Sequence, residues 1–280
     1  MTVDGGRVAV VGTGLIGASV GLAAKRAGVE RVAGFDRDPG ALSVAVELGA
    51  VDSPAGSLRE AVEAAELVVV AAPVGAIPAC VAEALASTDH GATVTDVGST
   101  KARICSAHGT ESRFVGGHPL AGSERHGPQH ASADLFVGST WFLTPLAGTD
   151  NARRRQIHGF VSRLGAKPVE IDPNAHDQLV ALTSHLPHAL ANLLVNQVGG
   201  ASIAGHDALA TAGASFREMT RVAGANPGIW VDIFLENAEA MGAALAEHRR
   251  LVEELEELLR RGDDDALSGW IEEAARRRPG

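Results

Sequence analysis

Cysteine is scarce and tyrosine is absent: only Cys80 and Cys105 occur in 280 residues, and they form no CxxC pair. Neither a disulfide framework nor a thiolate metal site is supported, and both thiols are expected to be buried and reduced. Long apolar runs are also missing. Although 45% of residues are hydrophobic, no run approaches the roughly 18 residues that a membrane span needs. The start, MTVDGGRVAVVG, passes almost directly into a strand and leaves no room for a signal peptide, so a cytoplasmic protein is expected. There is no excess of basic residues. With 34 acidic against 24 basic residues the formal charge is −10, the wrong sign for a nucleic-acid partner. An anionic small molecule remains compatible, because one or two placed arginines bind a carboxylate within an acidic protein. No internal repeat, low-complexity segment or appended regulatory domain is evident.

What is present has a clear order. RVAVVG (7–12), RVAGFD (31–36), LVVVAAP (67–73), ATVTDVG (92–98), FVGGHP (114–119) and TWFLTP (140–145) read as buried strands. Segments 15–27, 40–48, 57–65 and 76–86 read as the intervening helices, and a helix at 151–164 with a strand at 167–171 closes the set. Alternation of this kind predicts an α/β fold with a doubly wound, mostly parallel sheet. After Ile171-Asp172-Pro173 the strand pattern stops, and 175–198, 203–223, 227–246, 248–261 and 265–277 read as helices. The expected organisation is therefore a Rossmann-type dinucleotide-binding domain over 1–172 and an all-α domain over 173–280. A lone helical layer covers its apolar faces poorly, so the second domain is expected to make a homodimer. Gly262-Asp263-Asp264-Asp265 reads as a helix break with capping carboxylates rather than a metal site.

Gly12-Thr13-Gly14-Leu15-Ile16-Gly17 follows the first strand and opens a helix, the context in which GxGxxG carries information. The first glycine permits a tight turn, the second lets a pyrophosphate approach the backbone, and the third allows close helix–sheet contact. Helix N-terminal amides complete an anion site. Asp36 ends the second strand, where its carboxylate accepts hydrogen bonds from ribose hydroxyls and repels a 2′-phosphate. NAD is the expected cofactor, with Arg37 adjoining and partly offsetting that repulsion. The loop beginning Pro73-Val74 is expected near the nicotinamide. His118, at a strand end and followed by Pro119 and Gly122, is well placed for proton chemistry there.

His118-Pro119-Leu120-Ala121-Gly122-Ser123-Glu124, Asp96-Val97-Gly98-Ser99-Thr100-Lys101 and Phe216-Arg217-Glu218-Met219-Thr220-Arg221, with the glycine loop before them, occur in one order. In this the chain resembles the prephenate/arogenate dehydrogenase family of tyrosine biosynthesis, from about residue 6 to about residue 240. The resemblance implies a cyclohexadienol substrate, prephenate or arogenate. Hydride leaves C4 for NAD, and the ring carboxylate is lost as CO₂. It implies His118 as proton acceptor, with Ser99 hydrogen-bonding the C4 hydroxyl or orienting His118. Asp96 and Lys101 position the cofactor loop or cap it locally. Arg221 matches the arginine that grips the ring carboxylate. Arg217 is either a second substrate contact or a salt-bridge partner, for instance to Glu218 of a partner chain. His188, in Thr183-Ser184-His185-Leu186-Pro187-His188, is expected to touch substrate or cofactor, and no metal is expected at this histidine pair. Ser123, Glu124 and Trp230 fall at positions lining the pocket entrance, Trp230 being equally readable as core. Glu124 or Asp177 facing an ammonium would favour arogenate. A redox-sensing protein without catalysis would lack the histidine, serine or arginine. A different reductase on the same fold would lack the combined motifs.

Overall fold

The computed structural model describes residues 6–89, 91–122 and 125–278. Its centre is an eight-stranded sheet in the order β3-β2-β1-β4-β5-β6-β7-β8. The strands are β1 (Arg7–Val11), β2 (Arg31–Phe35), β3 (Ser53–Pro54), β4 (Leu67–Val70), β5 (Thr93–Asp96), β6 (Phe114–Pro119), β7 (Thr140–Thr144) and β8 (Lys167–Glu170). All neighbours pair in parallel except β6 and β7, where His118 lies opposite Phe142. The very short β3 escapes sequence reading because its proline cannot take part in a regular ladder and only two residues pair. The crossover helices are α1 (Leu15–Arg26), α2 (Pro39–Glu47), α3 (Leu58–Val62), α4 (Ile77–Ser87), α5 (Ala102–Ala107) and α6 (Asn151–Arg163).

Continuous apolar strands are what a sheet covered on both faces requires. Alternate residues of β1 and β4 divide between two cores: Val8, Val10, Leu67 and Val69 face Phe136, Trp141 and Phe160. Ala9, Val11, Val68 and Val70 face Leu58, Ile77, Val81 and Ile104. Burying each large apolar side chain contributes about 1.5–3 kcal/mol. Of the two cysteines, Cys105 is buried as expected, whereas Cys80 is only half-buried.

The second half contains α7 (Pro173–Val180), α8 (Leu186–Val198), α9 (Ala214–Thr220), α10 (Pro227–Glu236), α11 (Ala238–Arg261) and α12 (Asp264–Arg277). It departs from the expected helices in three places. The stretch 175–198 is interrupted by a π-helical turn, Ala181–His185, just before Pro187, whose missing N–H could not have served a regular helical bond. The stretch 203–223 is not one helix. Gly205 and Gly213 break it, and β9 (Ser202–Ile203) pairs antiparallel with β10 (His206–Asp207), leaving α9 short. The next break falls at Asn237, so α11 runs unbroken through 246–248. At the far end Gly262 adopts φ 62° and the Asp263 carboxylate caps α12 by accepting from Ala266 N at 3.0 Å. Ile233 of α10 enters the core on one sheet face and ties the two halves together. No helix among the described residues is long and apolar enough to cross a membrane.

Candidate active site

The glycine loop bridges the carboxyl end of β1 and the start of α1. Gly12 takes φ +92°, and its N–H donates to Phe35 O at 2.8 Å, locking the turn to β2. A Cβ on Gly17 would stand 1.8 Å from Gly12 O, whereas a Cβ on Gly14 would meet nothing within 4 Å. Packing therefore forbids a side chain at Gly17, and the open space at Gly14 is where a pyrophosphate can reach the backbone. Leu15 and Ile16 begin α1, whose first turn carries no acidic residue and so leaves its N–H groups to an anion. Asp36 is held in place: Oδ2 accepts from Thr13 N at 2.6 Å and Thr13 Oγ1 at 3.2 Å, and Oδ1 accepts from Asp38 N at 2.9 Å. Thr13 is fully buried. It was not singled out from sequence, although its place inside the glycine loop was the available signal. Arg37 is exposed beside Asp36, and Pro73 precedes a short 3₁₀ turn, Val74–Ala76. These residues fit a dinucleotide with its ribose at Asp36.

The carboxyl ends of β5 and β6 carry the candidate catalytic residues. Asp96 and Lys101 form a fully buried ion pair. Asp96 also accepts from Gly98 N at 2.8 Å and Gly117 N at 3.1 Å. The pair thus clamps the Val97–Thr100 loop and the residue just before His118, consistent with the positioning alternative for both. Gly117 is required here, since a Cβ would come within 2.6 Å of Asp96 O. His118 is half-buried, with Nδ1 2.8 Å from Nε2 of His176 on α7. His176 Nδ1 lies 2.7 Å from Asp177 Oδ1. Asp177 further accepts from Lys101 N at 2.7 Å and Ala102 N at 2.9 Å, capping α5 from the other half of the molecule. Both oxygens are therefore occupied, which corrects the expectation that Asp177 could face a substrate ammonium. Asn237 Nδ2 donates to Asp177 O at 2.9 Å and to His185 Nδ1 at 3.0 Å.

Burial pushes the His118 pKa well below the ordinary histidine value, and the Lys101 charge adds to the effect. His185 is lowered to about 4, first by burial, against the opposing pull of Asp177. Its unprotonated Nδ1 is what the Asn237 amide requires. Both rings are neutral at physiological pH. Ser99 is half-buried, and the hydrogen bond found on His118 Nδ1 is to His176. His176, Asp177 and Asn237 are the residues sequence reading missed in this role; the adjacent His-Asp pair early in a helix was the only signal.

On the helical side His188 stacks on Trp230, with centroids 3.5 Å apart and planes at 24°. Trp230 also meets His185 edge-on at 5.9 Å and packs partly against the core under the sheet. The His188 pKa is lowered by burial and then by the nearby Arg221 charge, while a bond to the Val222 main-chain carbonyl opposes this. Arg221 opens a 3₁₀ turn, Arg221–Gly224, and Arg217 lies in α9. The two are thus not on one continuous α-helix. Arg221, His188 and Trp230 come together; Ser123 and Glu124 lie outside the described residues.

Comparison with known proteins places this architecture. A sequence model described as prephenate dehydrogenase, nucleotide-binding domain, matches residues 20–170, and one described as prephenate dehydrogenase, dimerization domain, matches 172–273. Prephenate dehydrogenase of Bacillus subtilis is 31% identical over 98% of this chain and 75% of its own length. The crystal structure of prephenate dehydrogenase from Aquifex aeolicus with hydroxyphenyl propionate and NAD⁺ superposes with a TM-score of 0.92 at 30% identity, over 98% of this chain and 97% of that one. Synechocystis arogenate dehydrogenase gives a TM-score of 0.85 at 29% identity, over 96% and 97%. With both halves matched and relatives aligned over nearly its whole length, the chain belongs to the prephenate dehydrogenase family.

Proposed function

We infer that this protein is an NAD-dependent dehydrogenase that oxidatively decarboxylates prephenate to 4-hydroxyphenylpyruvate. The observation that carries this reading is a neutral His118 at the carboxyl end of β6, beside the edge that bears the glycine cradle and facing the helical half. NAD⁺ supplies the hydride acceptor. His118 takes the proton of the C4 hydroxyl as hydride leaves C4, and the electron pair of the bond to the ring carboxylate enters the ring as CO₂ departs. The phenolate so formed takes the proton back, so no net proton is released. A neutral imidazole suits both directions of this transfer. Ser99 hydrogen-bonds the C4 oxygen.

Arg221 holds the ring carboxylate through charge-assisted bonds, while His188 and Trp230 contact the side chain. Residues 1–172 serve the dinucleotide and 173–280 serve substrate and subunit contact. The match to a dimerization domain and the exposed Leu259, Trp270 and Ile271 on α11 and α12 support a homodimer. Arogenate is the alternative substrate, a reading favoured by the likeness to Synechocystis arogenate dehydrogenase. The deciding experiment is NADH formation with purified prephenate and arogenate in parallel. Failure with both would refute the reading, and a faster reaction with arogenate would replace the substrate.

A further inference from the structure

The hydrogen atoms along the His118–His176–Asp177 chain can be assigned by elimination. The Asp177 carboxylate faces three N–H groups: Lys101 N at 2.7 Å, Ala102 N at 2.9 Å and His176 Nδ1 at 2.7 Å. A carboxylate only accepts, so His176 carries hydrogen on Nδ1. With its one ring hydrogen on Nδ1, His176 has a bare acceptor at Nε2. That atom lies 2.8 Å from His118 Nδ1, and two lone pairs do not hydrogen-bond each other. The hydrogen between them then belongs to His118 Nδ1, which leaves the lone pair on His118 Nε2. The opposite tautomer would place an N–H where the substrate hydroxyl must be deprotonated. Phe142 packs edge-on against His176 at 5.4 Å between centroids and restricts its ring.

We propose that His176, oriented by Asp177, is the positioning residue that makes His118 a base by fixing its tautomer across the contact between the two halves of the molecule. The inference rests on the reading of His118 as proton acceptor. When the hydroxyl O–H bond breaks and its proton binds His118 Nε2, the imidazolium keeps Nδ1–H on His176, and the same proton later returns to the phenolate. His118 and the Asp96–Lys101 pair belong to the sheet, whereas His176 and Asp177 on α7 and His185 after it belong to the helical half. The base is therefore complete only when α7 is seated on α5.

Two variants separate this role from simple packing. His176→Asn retains a group that can donate to Asp177 but is too short to reach His118. His176→Gln can donate to Asp177 and accept from His118 through one amide. For His176→Asn, kcat should fall about ten- to hundredfold, part of the roughly 10²–10⁴-fold a positioned base contributes, with both KM values within about twofold. His176→Gln should recover most of the loss. The acid limb of kcat should move to lower pH in the Asn variant, because an acceptor that favours the imidazolium is lost while burial and Lys101 still oppose it. A limb moving to higher pH would mean that His176 is a cation repelling His118, and would overturn the proposal. Independently of any variant's folding, long-range ¹H–¹⁵N NMR of the histidine-labelled full chain, assigned with His118→Asn, should show His118 protonated on Nδ1. Protonation on Nε2 would refute it. An inactive wild type would defeat the functional reading. An active wild type with inactive His118→Asn, but wild-type kcat and pH profile in His176→Asn, would defeat this inference alone.

Discussion

Replacing Lys101 by Met tests the buried pair on which the position of His118 depends. Both side chains of the Asp96–Lys101 pair are fully inaccessible, so solvent screening cannot soften the loss. Removing one partner of such a pair typically costs 3–5 kcal/mol, because the remaining charge stays buried without compensation. Asp96 retains two main-chain donors, Gly98 N and Gly117 N, which place the expected loss near the lower end, about 3 kcal/mol. Met fills most of the vacated volume, so little of this is a cavity effect. Urea unfolding at fixed protomer concentration measures it, and Asp96→Asn in the same background should restore part of the stability by removing the orphaned charge. A second readout follows from electrostatics. The Lys101 charge helps hold His118 below its ordinary pKa, so its removal should raise the His118 pKa and move the acid limb of kcat to higher pH. A variant within about 1 kcal/mol of wild type, with an unmoved limb, would refute the reasoning.

Three further outcomes are expected. Wild type should prefer NAD⁺ over NADP⁺ in kcat/KM by at least about tenfold, or ~1.4 kcal/mol, and Asp36→Ser should erode that preference; equal use of both cofactors by wild type would refute the role of Asp36. Arg221→Gln should raise the prephenate KM about ten- to hundredfold, as expected for losing charge-assisted bonds worth roughly 1.5–3 kcal/mol, with a smaller effect on kcat because charge leaves the carboxylate in the transition state. Arg221→Lys should recover little, and wild-type constants in both variants with a raised KM in Arg217→Gln would move the assignment to Arg217. His185 is unprotonated in the fold with its pKa lowered from 6.5 to about 4, so its contribution is present above pH 6.5 and is lost as pH falls towards 4. The lost stability is about 3 kcal/mol by linkage, and acid titration of unfolding free energy should show a flatter slope in His185→Gln; an identical slope would refute it.

The parts of the site legible in sequence are those whose physics is local. The glycine loop, Asp36 and His118 each sit at the end of a strand, and the neighbouring few residues dictate their geometry. The sheet was legible for the same reason, since runs such as Leu67–Val70 are apolar on both faces. Two kinds of feature were not. Proline and glycine effects in the second half act through context: Pro187 produces a π-helical turn rather than a helix end, and the glycines around Ser202 admit a hairpin where apolar spacing suggested helix. The second kind is pairing over distance. His176 is 58 positions from His118 and Lys101 N is 76 from Asp177, and no periodicity in the chain relates them.

That long-range pairing changes the question of substrate choice. Prephenate and arogenate differ only at the side chain, keto acid against ammonium, so discrimination needs a group that is unspent in the folded protein. Of the two carboxylates the sequence offered for an ammonium, Asp177 is spent three times over, on α5 twice and on His176 once. Turning it towards a ligand would release two main-chain donors at a buried helix start and free the tautomer of His176. Each abandoned donor costs on the order of 1–3 kcal/mol, comparable to the gain from one charge-assisted contact. Selection for the ammonium at this position would therefore be made at the expense of the base. Glu124, the other carboxylate, lies outside the described residues; we propose that the side-chain end of the substrate is read from the His188–Trp230 stack, where burial and then Arg221 hold the His188 pKa down. Arg221 is then a link between the two ends of the substrate: a carboxylate bound to it would screen its charge, ease protonation of His188 and favour an anionic side chain nearby.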